Sequence, residues 1–320
     1  MTLTIGVDIG GTKIAAGVVD EGGGVRASVR CPTPDSVPAV ETAIIELVAQ
    51  LREGHDVVAV GIGAAALVDR SRSRVSMAAN IGWQDEPLGE RIASRTGLPV
   101  VVENDANAAA WAEHRFGAGR GWDHLTLVVV GTGVGGGSVV EGSLLRGAHG
   151  AAGEIGHVQV VPDGRACGCG LAGCLEQYAS GPALVRAARR QVETHPDLAA
   201  ALLQAGDGTA SGIQGSHVAA AAREGDPLAT AAFEEVGDHL GRALALLSAV
   251  IDPGCFILGG GVAEAGDLLV EPTRRAYLRS LVARRHRVPA QIRSAELGNA
   301  AGLIGAADLA RATFTGEDSS

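Results

Sequence analysis

Three of the five cysteines of this chain lie within eight residues, and a histidine precedes the first of them by ten positions. The cluster consists of His157, Cys167, Cys169 and Cys174. One imidazole and three thiolates form the ligand set of a closed, tetrahedral zinc site. A redox pair is disfavoured because no CxxC spacing occurs, whereas three buried structural thiols remain an alternative. Since all four ligands are protein groups, the pattern predicts a structural zinc ion rather than a catalytic one.

Two glutamates, Glu154 and Glu176, flank this cysteine loop, and the metal needs neither of them. They could be solvated loop charges. Their position at the two ends of a metal-ordered loop favours contacts with the hydroxyl groups of a sugar, because carboxylates accept hydrogen bonds. We therefore expect the cysteine loop to shape a binding site.

Two glycine-rich turns, about 120 residues apart, each join two strand-like segments. The first contains Asp8, Gly10, Gly11, Thr12 and Lys13, and the second contains Gly131, Thr132, Gly133 and Gly135. Neither fits a P-loop or a dinucleotide fingerprint, because both motifs require a helix after the glycines. A hairpin turn can still offer backbone N–H groups and a threonine hydroxyl to phosphate oxygens, although one alone is more often an ordinary turn. Their recurrence favours two related halves, each with a phosphate-binding hairpin, and Asp8 could hold Mg²⁺ through water.

A third glycine cluster, Gly259, Gly260 and Gly261, follows a predicted buried strand. Glycine permits close approach of the backbone to a ligand, which suits the flat face of a nucleobase or a ribose. An ordinary strand-to-helix turn explains the cluster equally well.

Asp105 stands where a buried strand gives way to a helix, with Asn104 directly before it. An aspartate at this point is most often an N-cap, which stabilises a helix by about 1 kcal/mol, and the local sequence favours that interpretation. A carboxylate at a strand end beside a phosphate-binding hairpin could also take a proton from an attacking hydroxyl, as a general base. The amide of Asn104 would suit a sugar hydroxyl.

The overall composition disfavours several classes of function. The chain has 320 residues and a net charge of −10, and it contains no basic run beyond short pairs. Nucleic-acid binding therefore lacks its positive footprint. No apolar run approaches the ~18 residues of a membrane span, and a strand pattern that begins at Leu3 leaves no room for a signal peptide. We expect a cytoplasmic protein with reduced thiols.

Strands alternate with helices along the chain, which predicts an α/β fold. We expect a small N-terminal α/β domain at residues 1–108 and a larger α/β domain at residues 109–299 that carries the cysteine loop. A helix at about 300–312 is expected to pack back on the first domain, and residues 313–320 are expected to be disordered.

These motifs together resemble the ROK family of sugar kinases, within the actin/hexokinase-like superfamily. The matches extend over nearly the whole chain in the expected order, and the zinc motif is specific. The segments at 104–113 and 176–181 are most similar to those of the family's bacterial ATP-dependent glucokinases. The resemblance implies a ribonuclease H-like, two-domain α/β fold with a cleft between the domains.

The resemblance also implies roles for particular residues. Asp105 would deprotonate the 6-hydroxyl of a hexose, with glucose the first expectation, for attack on the γ-phosphate of ATP. The two hairpins would hold the phosphates with Mg²⁺, and residues 259–261 would hold the adenosine. The residues implied in sugar binding are Asn80, Asn104, Asp105, Glu154, His157 and Glu176. One ring nitrogen of His157 would face the zinc ion and the other the sugar.

One position departs from the family pattern: Ala66 stands where such kinases commonly have a glycine, in the loop near the sugar. If that position requires a positive φ, alanine is strained there. The alternatives are a kinase for N-acetylmannosamine, N-acetylglucosamine or fructose, and a non-catalytic, sugar-sensing ROK regulator. The regulator is disfavoured because such proteins carry a helix-turn-helix before the first hairpin, whereas the first hairpin of this sequence begins at Leu3. The resemblance further suggests a homo-oligomer, either a dimer or a tetramer.

Overall fold

The computed structural model describes residues 2–78 and 82–316, which form two compact units. Unit 1 contains the chain up to Asp123, then Gly137–Gly153, and then the chain from Glu296 onwards. Unit 2 contains His124–Gly136 and Glu154–Ala295. The expected first domain comprises residues 1–108 with a helix at about 300–312 packed back on it, and unit 1 contains both of these together with residues 109–123 and Gly137–Gly153.

Strands occur in both units. Those of the described ranges are β1 (Leu3–Ile9), β2 (Lys13–Val19), β3 (Val25–Pro32), β4 (Val57–Ala64), β5 (Leu67–Val68), β6 (Val75–Ala78), β7 (Trp83–Glu86), β8 (Val100–Asn104), β9 (Leu125–Val130), β10 (Val134–Val140), β11 (Ser143–Leu144), β12 (Cys255–Gly259) and β13 (Gln291–Ser294).

The α-helices of the same ranges are α1 (Val37–Arg52), α2 (Leu88–Thr96), α3 (Asp105–Phe116), α4 (Glu176–Ala179), α5 (Gly181–Thr194), α6 (Ala200–Ala205), α7 (Gly215–Arg223), α8 (Pro227–Val250), α9 (Asp267–Ser280) and α10 (Ala301–Thr315).

Unit 1 is built on a five-stranded sheet with the order β3-β2-β1-β4-β8. Strand β1 pairs antiparallel with β2, and β1, β4 and β8 run parallel to one another. Parallel strands end at the same edge of a sheet, which is where α/β proteins place their ligand-binding residues. Asp8 in β1 and Asp105 after β8 therefore come to one edge.

Helix α10 packs closely on this sheet because glycines in the strands leave room for its backbone. A Cβ atom on Gly6 or Gly61 would collide with a carbonyl oxygen of α10. The helix continues to Thr315, so residues 313–315 are helical where the sequence predicts disorder. The hydroxyls of Thr313 and Thr315 donate to carbonyl oxygens one turn earlier, which satisfies their polar groups within the helix. Residues 317–320 lie outside the described residues.

Unit 2 contains a second set of parallel strands, in which β12 pairs with β9 on one side and with β13 on the other. Helix α8 packs on α9 at close range, because Gly237 and Gly241 face the backbone or side chains of Pro272 and Thr273. The buried side chains of Phe233, Phe256 and other apolar residues form its core. Among the helices that the structure describes, none combines the length and apolarity of a membrane span.

Candidate functional site

Asp105 opens α3, and its carboxylate is not the helix cap. The side-chain oxygen of Asn104 accepts the backbone N–H of Asn107 at 3.0 Å, so Asn104 is the N-cap and the interpretation favoured by the local sequence is wrong. One Asp105 oxygen accepts the N–H of Ala106 at 2.8 Å, which lowers the carboxyl pKa. Burial has the larger, opposite effect and raises the pKa of Asp105 above its ordinary value. The result is a carboxylate with increased affinity for a proton.

Asp8 lies near Asp105 in unit 1, and the negative charge of Asp105 disfavours ionisation of Asp8. Burial and the negative charge of Asp105 raise the pKa of Asp8 from 3.8 to about 6, although Lys13 acts in the opposite direction. The positive charge of Lys13 only partly offsets the effects of burial and of Asp105 on Asp8. The two carboxylates therefore form an oxygen-donor set that fits a hard cation such as Mg²⁺. The residues present therefore fit the metal that the sequence suggests.

The first hairpin (residues 10–13) has its turn open to solvent. The N–H of Gly10 donates to the carbonyl oxygen of Lys13 at 3.0 Å, and Thr33 donates its hydroxyl to the carbonyl oxygen of Gly10 at 2.7 Å. Gly11, Thr12 and Lys13 are exposed. The tip thus combines a fixed backbone with accessible N–H, hydroxyl and ammonium groups, which suits an anionic ligand.

The second hairpin (residues 131–135) is held by neighbouring segments of unit 2. Its turn closes with the Gly131 N–H donating to the Gly133 carbonyl oxygen at 2.9 Å. Gly181 donates its N–H to the carbonyl oxygen of Gly131 at 2.7 Å, and a Glu176 oxygen accepts the N–H of Val134 at 3.1 Å. Strand β10 begins at Val134, so Gly135 belongs to the strand rather than to the turn.

A cavity of about 920 Å³ opens beside the second hairpin, entirely within unit 2. Gly131 and Thr132 line it, as does Gly261 after β12. Gly260 has a φ of +85° and lies against the backbone of Val130, so this strand-to-helix turn requires glycine. The cavity brings the second and third glycine clusters of the sequence to one place.

Helical residues complete this cavity, and the sequence pattern did not indicate them. Arg186 and Arg189 of α5 and Gln214 before α7 belong to the lining. The Arg186 guanidinium donates to the Gln177 carbonyl oxygen at 2.7 Å, and the Arg189 guanidinium donates to the Ile213 carbonyl oxygen at 2.9 Å. These arginines fix the walls of the cavity by binding backbone carbonyls of neighbouring segments.

The four predicted metal ligands come together in unit 2. The ligand atoms of His157, Cys167, Cys169 and Cys174 all lie within 4.8 Å of one another. The Cys167 sulfur lies 3.7 Å from His157 Nδ1, and the sulfurs of Cys169 and Cys174 lie 3.6 Å apart. Such a tetrad of soft donors fits Zn²⁺.

The electrostatics of the thiols support the same assignment. Burial and the neighbouring thiols raise the pKa of Cys174 to about 12, whereas hydrogen bonds, first from the Leu171 N–H, lower the pKa of Cys169. A divalent cation would deprotonate thiols packed in this way, since zinc binds thiolates. The remaining cysteines, Cys31 and Cys255, lie elsewhere in strands, and burial raises the pKa of each.

His157 presents different nitrogens to different neighbours. Nδ1 faces the cysteine sulfurs, while Nε2 lies 3.9 Å from a carboxylate oxygen of Glu154. Both side chains are partly exposed. The ring can therefore bind a metal through Nδ1 and leave Nε2 and Glu154 accessible to a ligand.

Asn104 binds the loop that contains Ala66. Its side-chain N–H donates to the Ala66 carbonyl oxygen at 3.2 Å. Among the described residues, six non-glycine residues have a positive φ, and Ala66 is not one of them. Alanine is therefore not strained at this position. Asn80, the remaining predicted sugar ligand, lies outside the described residues.

The chain is similar in sequence and fold to known sugar kinases. A glucokinase from Streptomyces coelicolor is 52% identical over 311 residues, which cover 97% of this chain and 98% of that protein. An N-acetylmannosamine kinase from Escherichia coli O157:H7 is 34% identical over 314 residues, which cover 96% of this chain and 98% of that protein. A crystal structure of a ROK family glucokinase from Streptomyces griseus, in complex with glucose and AMPPNP, matches with a TM-score of 0.87 at 53% identity, covering 97% of this chain and 99% of that one.

These matches confirm the actin/hexokinase-like α/β fold expected from the sequence. The ROK family profile matches residues 4–313. The chain belongs to the ROK family.

Proposed function

We propose that this chain is an ATP-dependent sugar kinase that phosphorylates the 6-hydroxyl of glucose. The observation that carries the proposal is the 52% identity to a glucokinase over almost the whole of both chains. The raised pKa of Asp105 at the sheet edge supports it from the side of the chemistry.

Asp105 acts as the general base of this reaction. Its buried carboxylate accepts the proton of the 6-hydroxyl as that oxygen attacks the γ-phosphorus of ATP, and ADP leaves as the bond between the γ-phosphorus and the bridging oxygen breaks. The capping of α3 by Asn104 leaves Asp105 free for this role, and the helix N-terminus stabilises the negative charge at the start of the reaction. Phosphoryl transfer depends mainly on positioning and charge stabilisation, so placement of this one group has a large effect on rate.

The cavity of unit 2 holds the nucleotide. Its volume of about 920 Å³ is within the usual range of ligand pockets. The second hairpin supplies backbone N–H groups for phosphate oxygens. Residues 259–261 are proposed to contact the adenosine, with Gly261 lining the cavity, because glycine allows the backbone to approach a ligand. Thr12 and Lys13 are exposed at the tip of the first hairpin in unit 1 and are proposed as further ligands of the ATP phosphates.

Two metals belong to the proposal. Asp8 would hold Mg²⁺ through water, and that ion supplies positive charge for the phosphate oxygens. His157 and the three cysteines of its loop would hold a structural Zn²⁺. Glu154, His157 Nε2, Asn104 and Asn80 are proposed to bind sugar hydroxyls, and Glu176 is proposed to do so with the oxygen that does not bind Val134.

Phosphorylation of N-acetylmannosamine is the second candidate, because a kinase for that sugar is 34% identical over 96% of this chain. N-acetylglucosamine and fructose are further possible substrates. The purified protein with Mg²⁺ and ATP separates these candidates when ADP release is measured on each sugar and the product is identified by ³¹P NMR. We expect the highest kcat/KM for glucose, with the phosphate on O6. A higher kcat/KM for N-acetylmannosamine would establish the second candidate, and no turnover on any sugar would reject the proposal.

We also propose that the protein is a cytoplasmic homo-oligomer, either a dimer or a tetramer. Leu246 and Val250 are exposed on one side of α8, with Val250 84% exposed, and could contribute to such a contact. Light scattering after size-exclusion chromatography gives the mass in solution, and the mass of one chain would contradict an oligomer.

A further inference from the structure

A buried ion pair lies directly behind the residue that we assign as the base. Glu103, the last residue before Asn104, is 1% exposed, and Arg146 is 11% exposed. Arg146 Nε lies 2.7 Å from one carboxylate oxygen of Glu103, off the axis of a hydrogen bond, so the contact is ionic. Arg72 Nε lies 3.3 Å from the same oxygen. A carboxylate buried to this extent needs such positive partners.

The other oxygen of Glu103 fixes the turn that carries Asp105. It accepts the backbone N–H of Asn104 at 3.0 Å and the side-chain N–H of Asn107 at 3.2 Å. Asp105 lies between these two residues, and Asn104 in turn caps the helix. The orientation of the Glu103 carboxylate therefore decides where the first turn of α3 places the Asp105 side chain.

The guanidinium of Arg146 also binds a second segment of unit 1. Its Nη2 donates to the carbonyl oxygen of Asp69 at 2.8 Å, and its Nη1 donates to that of Arg70 at 3.1 Å. The segments remain close beyond this contact, since a Cβ on Gly150 would collide with the Val68 carbonyl oxygen. Only a planar fork of several N–H groups can make all these contacts at once.

We infer that Arg146 is a positioning residue for phosphoryl transfer. It neutralises Glu103, holds that carboxylate in the orientation that fixes the Asp105 turn, and joins this turn to the segment that follows β5 at residues 69 and 70. The inference rests on the proposed role of Asp105 as the base. It assigns Arg146 no contact with either substrate, so its loss should lower kcat while the affinity for ATP is maintained.

Three variants test this inference. Arg146→Ala removes the guanidinium, and Arg146→Lys keeps the charge but cannot make the forked contacts. Arg74→Ala is the matched control, because Arg74 in the same unit forms an exposed pair with Asp85 at 3.1 Å. Steady-state kinetics are measured on the best sugar of the wild-type protein, with and without millimolar guanidinium ion, together with binding of AMPPNP by calorimetry.

We expect kcat to fall about 30- to 100-fold in Arg146→Ala, as is typical when a reacting group is misplaced by a fraction of an ångström to an ångström. The KM for ATP and the Kd for AMPPNP should stay within about threefold of wild type, and guanidinium should restore part of kcat in this variant alone. Arg146→Lys should be impaired at least about tenfold, and Arg74→Ala should behave as wild type.

A near-normal kcat in Arg146→Lys or Arg146→Ala would overturn the inference. So would a loss of kcat that guanidinium does not restore and that is matched by weaker AMPPNP binding, because this pattern indicates general loss of structure. If Arg146→Ala does not fold, Arg146→Lys decides the question by its kcat. The proposed function stands or falls on the wild-type sugar panel alone, so the two failures are distinguishable.

Discussion

The two glycine-rich hairpins are similar in sequence but differ in their surroundings. The first hairpin has an exposed tip and lies beside Asp8, whose pKa is raised to about 6. The second hairpin is bound by Glu176 and Gly181, and it borders a cavity of about 920 Å³. The first hairpin thus lies beside a carboxylate whose ionisation is disfavoured, and the second lies beside a cavity that is already formed.

The difference indicates a division of labour between the units. In the proposed function, the carboxylates of unit 1 would hold a cation and accept a proton, and in the free protein the negative charge of Asp105 disfavours ionisation of Asp8. In unit 2, hydrogen bonds from neighbouring segments already hold the second hairpin beside the cavity. Contacts that are preorganised in this way reduce the entropy lost when a ligand binds. Variants around each hairpin should therefore change different measured quantities.

The largest effect is expected from Asp105→Asn. We expect kcat to fall by about 10²–10⁴, the range for loss of a general base, while AMPPNP binding changes little because the second hairpin is intact. In the wild type, kcat should also fall at low pH with a pKa above that of an ordinary aspartate, since only the ionised carboxylate accepts a proton. Coupled assays and calorimetry measure these quantities, with Asp56→Asn as an exposed control in unit 1. Weakened AMPPNP binding with normal kcat would contradict the division.

A smaller effect is expected from removal of the metal by chelation or by Cys174→Ser. The cysteine loop leads directly to Glu176, which binds the second hairpin. The loss should therefore weaken both glucose and AMPPNP binding, each by about tenfold, the effect commonly seen when groups that orient a binding residue are removed. Zinc content by mass spectrometry and calorimetric titration of both ligands measure this effect, with Cys31→Ser as the control. Unchanged AMPPNP affinity would show that the cysteine loop does not order the hairpin.

Asp8→Asn should stabilise the metal-free protein in a pH-dependent way. Because the pKa of Asp8 is higher in the folded state than the ordinary 3.8, its stabilising contribution is present below pH 3.8 and is lost as the pH rises through about 6. Asparagine has no charge, so the variant should gain about 1–2 kcal/mol of unfolding free energy at pH 8 and none near pH 4. The gain at pH 8 is smaller than the pKa shift alone would give, because the Asp8 side chain is partly exposed and solvent screens its charge. Urea unfolding in the presence of EDTA measures the difference, and an equal stability at pH 8 would show that neither burial nor the charge of Asp105 makes ionised Asp8 destabilising.

The smallest effect is expected from Glu176→Ala. Loss of its hydrogen bond to the Val134 N–H should weaken AMPPNP binding about fivefold, which corresponds to about 1 kcal/mol for one partly exposed bond. Glu193→Ala, at an exposed position on α5, serves as the control in calorimetry. An unchanged AMPPNP affinity alongside weaker glucose binding would assign Glu176 to the sugar alone.

The sequence pattern located most of the elements that carry the site. The strand pattern that begins at Leu3 occurs as β1, and the buried strands predicted before Asp105 and at the third glycine cluster occur as β8 and β12. The helix predicted at about 300–312 occurs within α10. The small sheet of β5, β6 and β7 was not predicted, because its strands are short and lack clear alternation. The four metal ligands were identified from spacing alone, and the structure brings their side chains together.

Other features could not be predicted because they depend on contacts between distant segments. Glu176 was expected to face a sugar, yet one of its oxygens binds a hairpin 42 residues earlier. Nothing in the local sequence around Arg146 connects it with Glu103 or with the carbonyl oxygens of residues 69 and 70. The role of Asp105 as an N-cap was predicted wrongly, because local propensity does not distinguish it from Asn104.

The sequence by itself determined the ligand chemistry of the cysteine loop, the conformations that glycine allows in the hairpins, and the order of the elements. These depend on residue type and short spacing. Only the tertiary structure decided which carboxylates share a site, which are neutralised and which keep a raised pKa. Glu103 and Asp105 are two residues apart, but arginines surround the first, while burial raises the pKa of the second. Burial and long-range charge create that difference, and both arise only when the chain is folded.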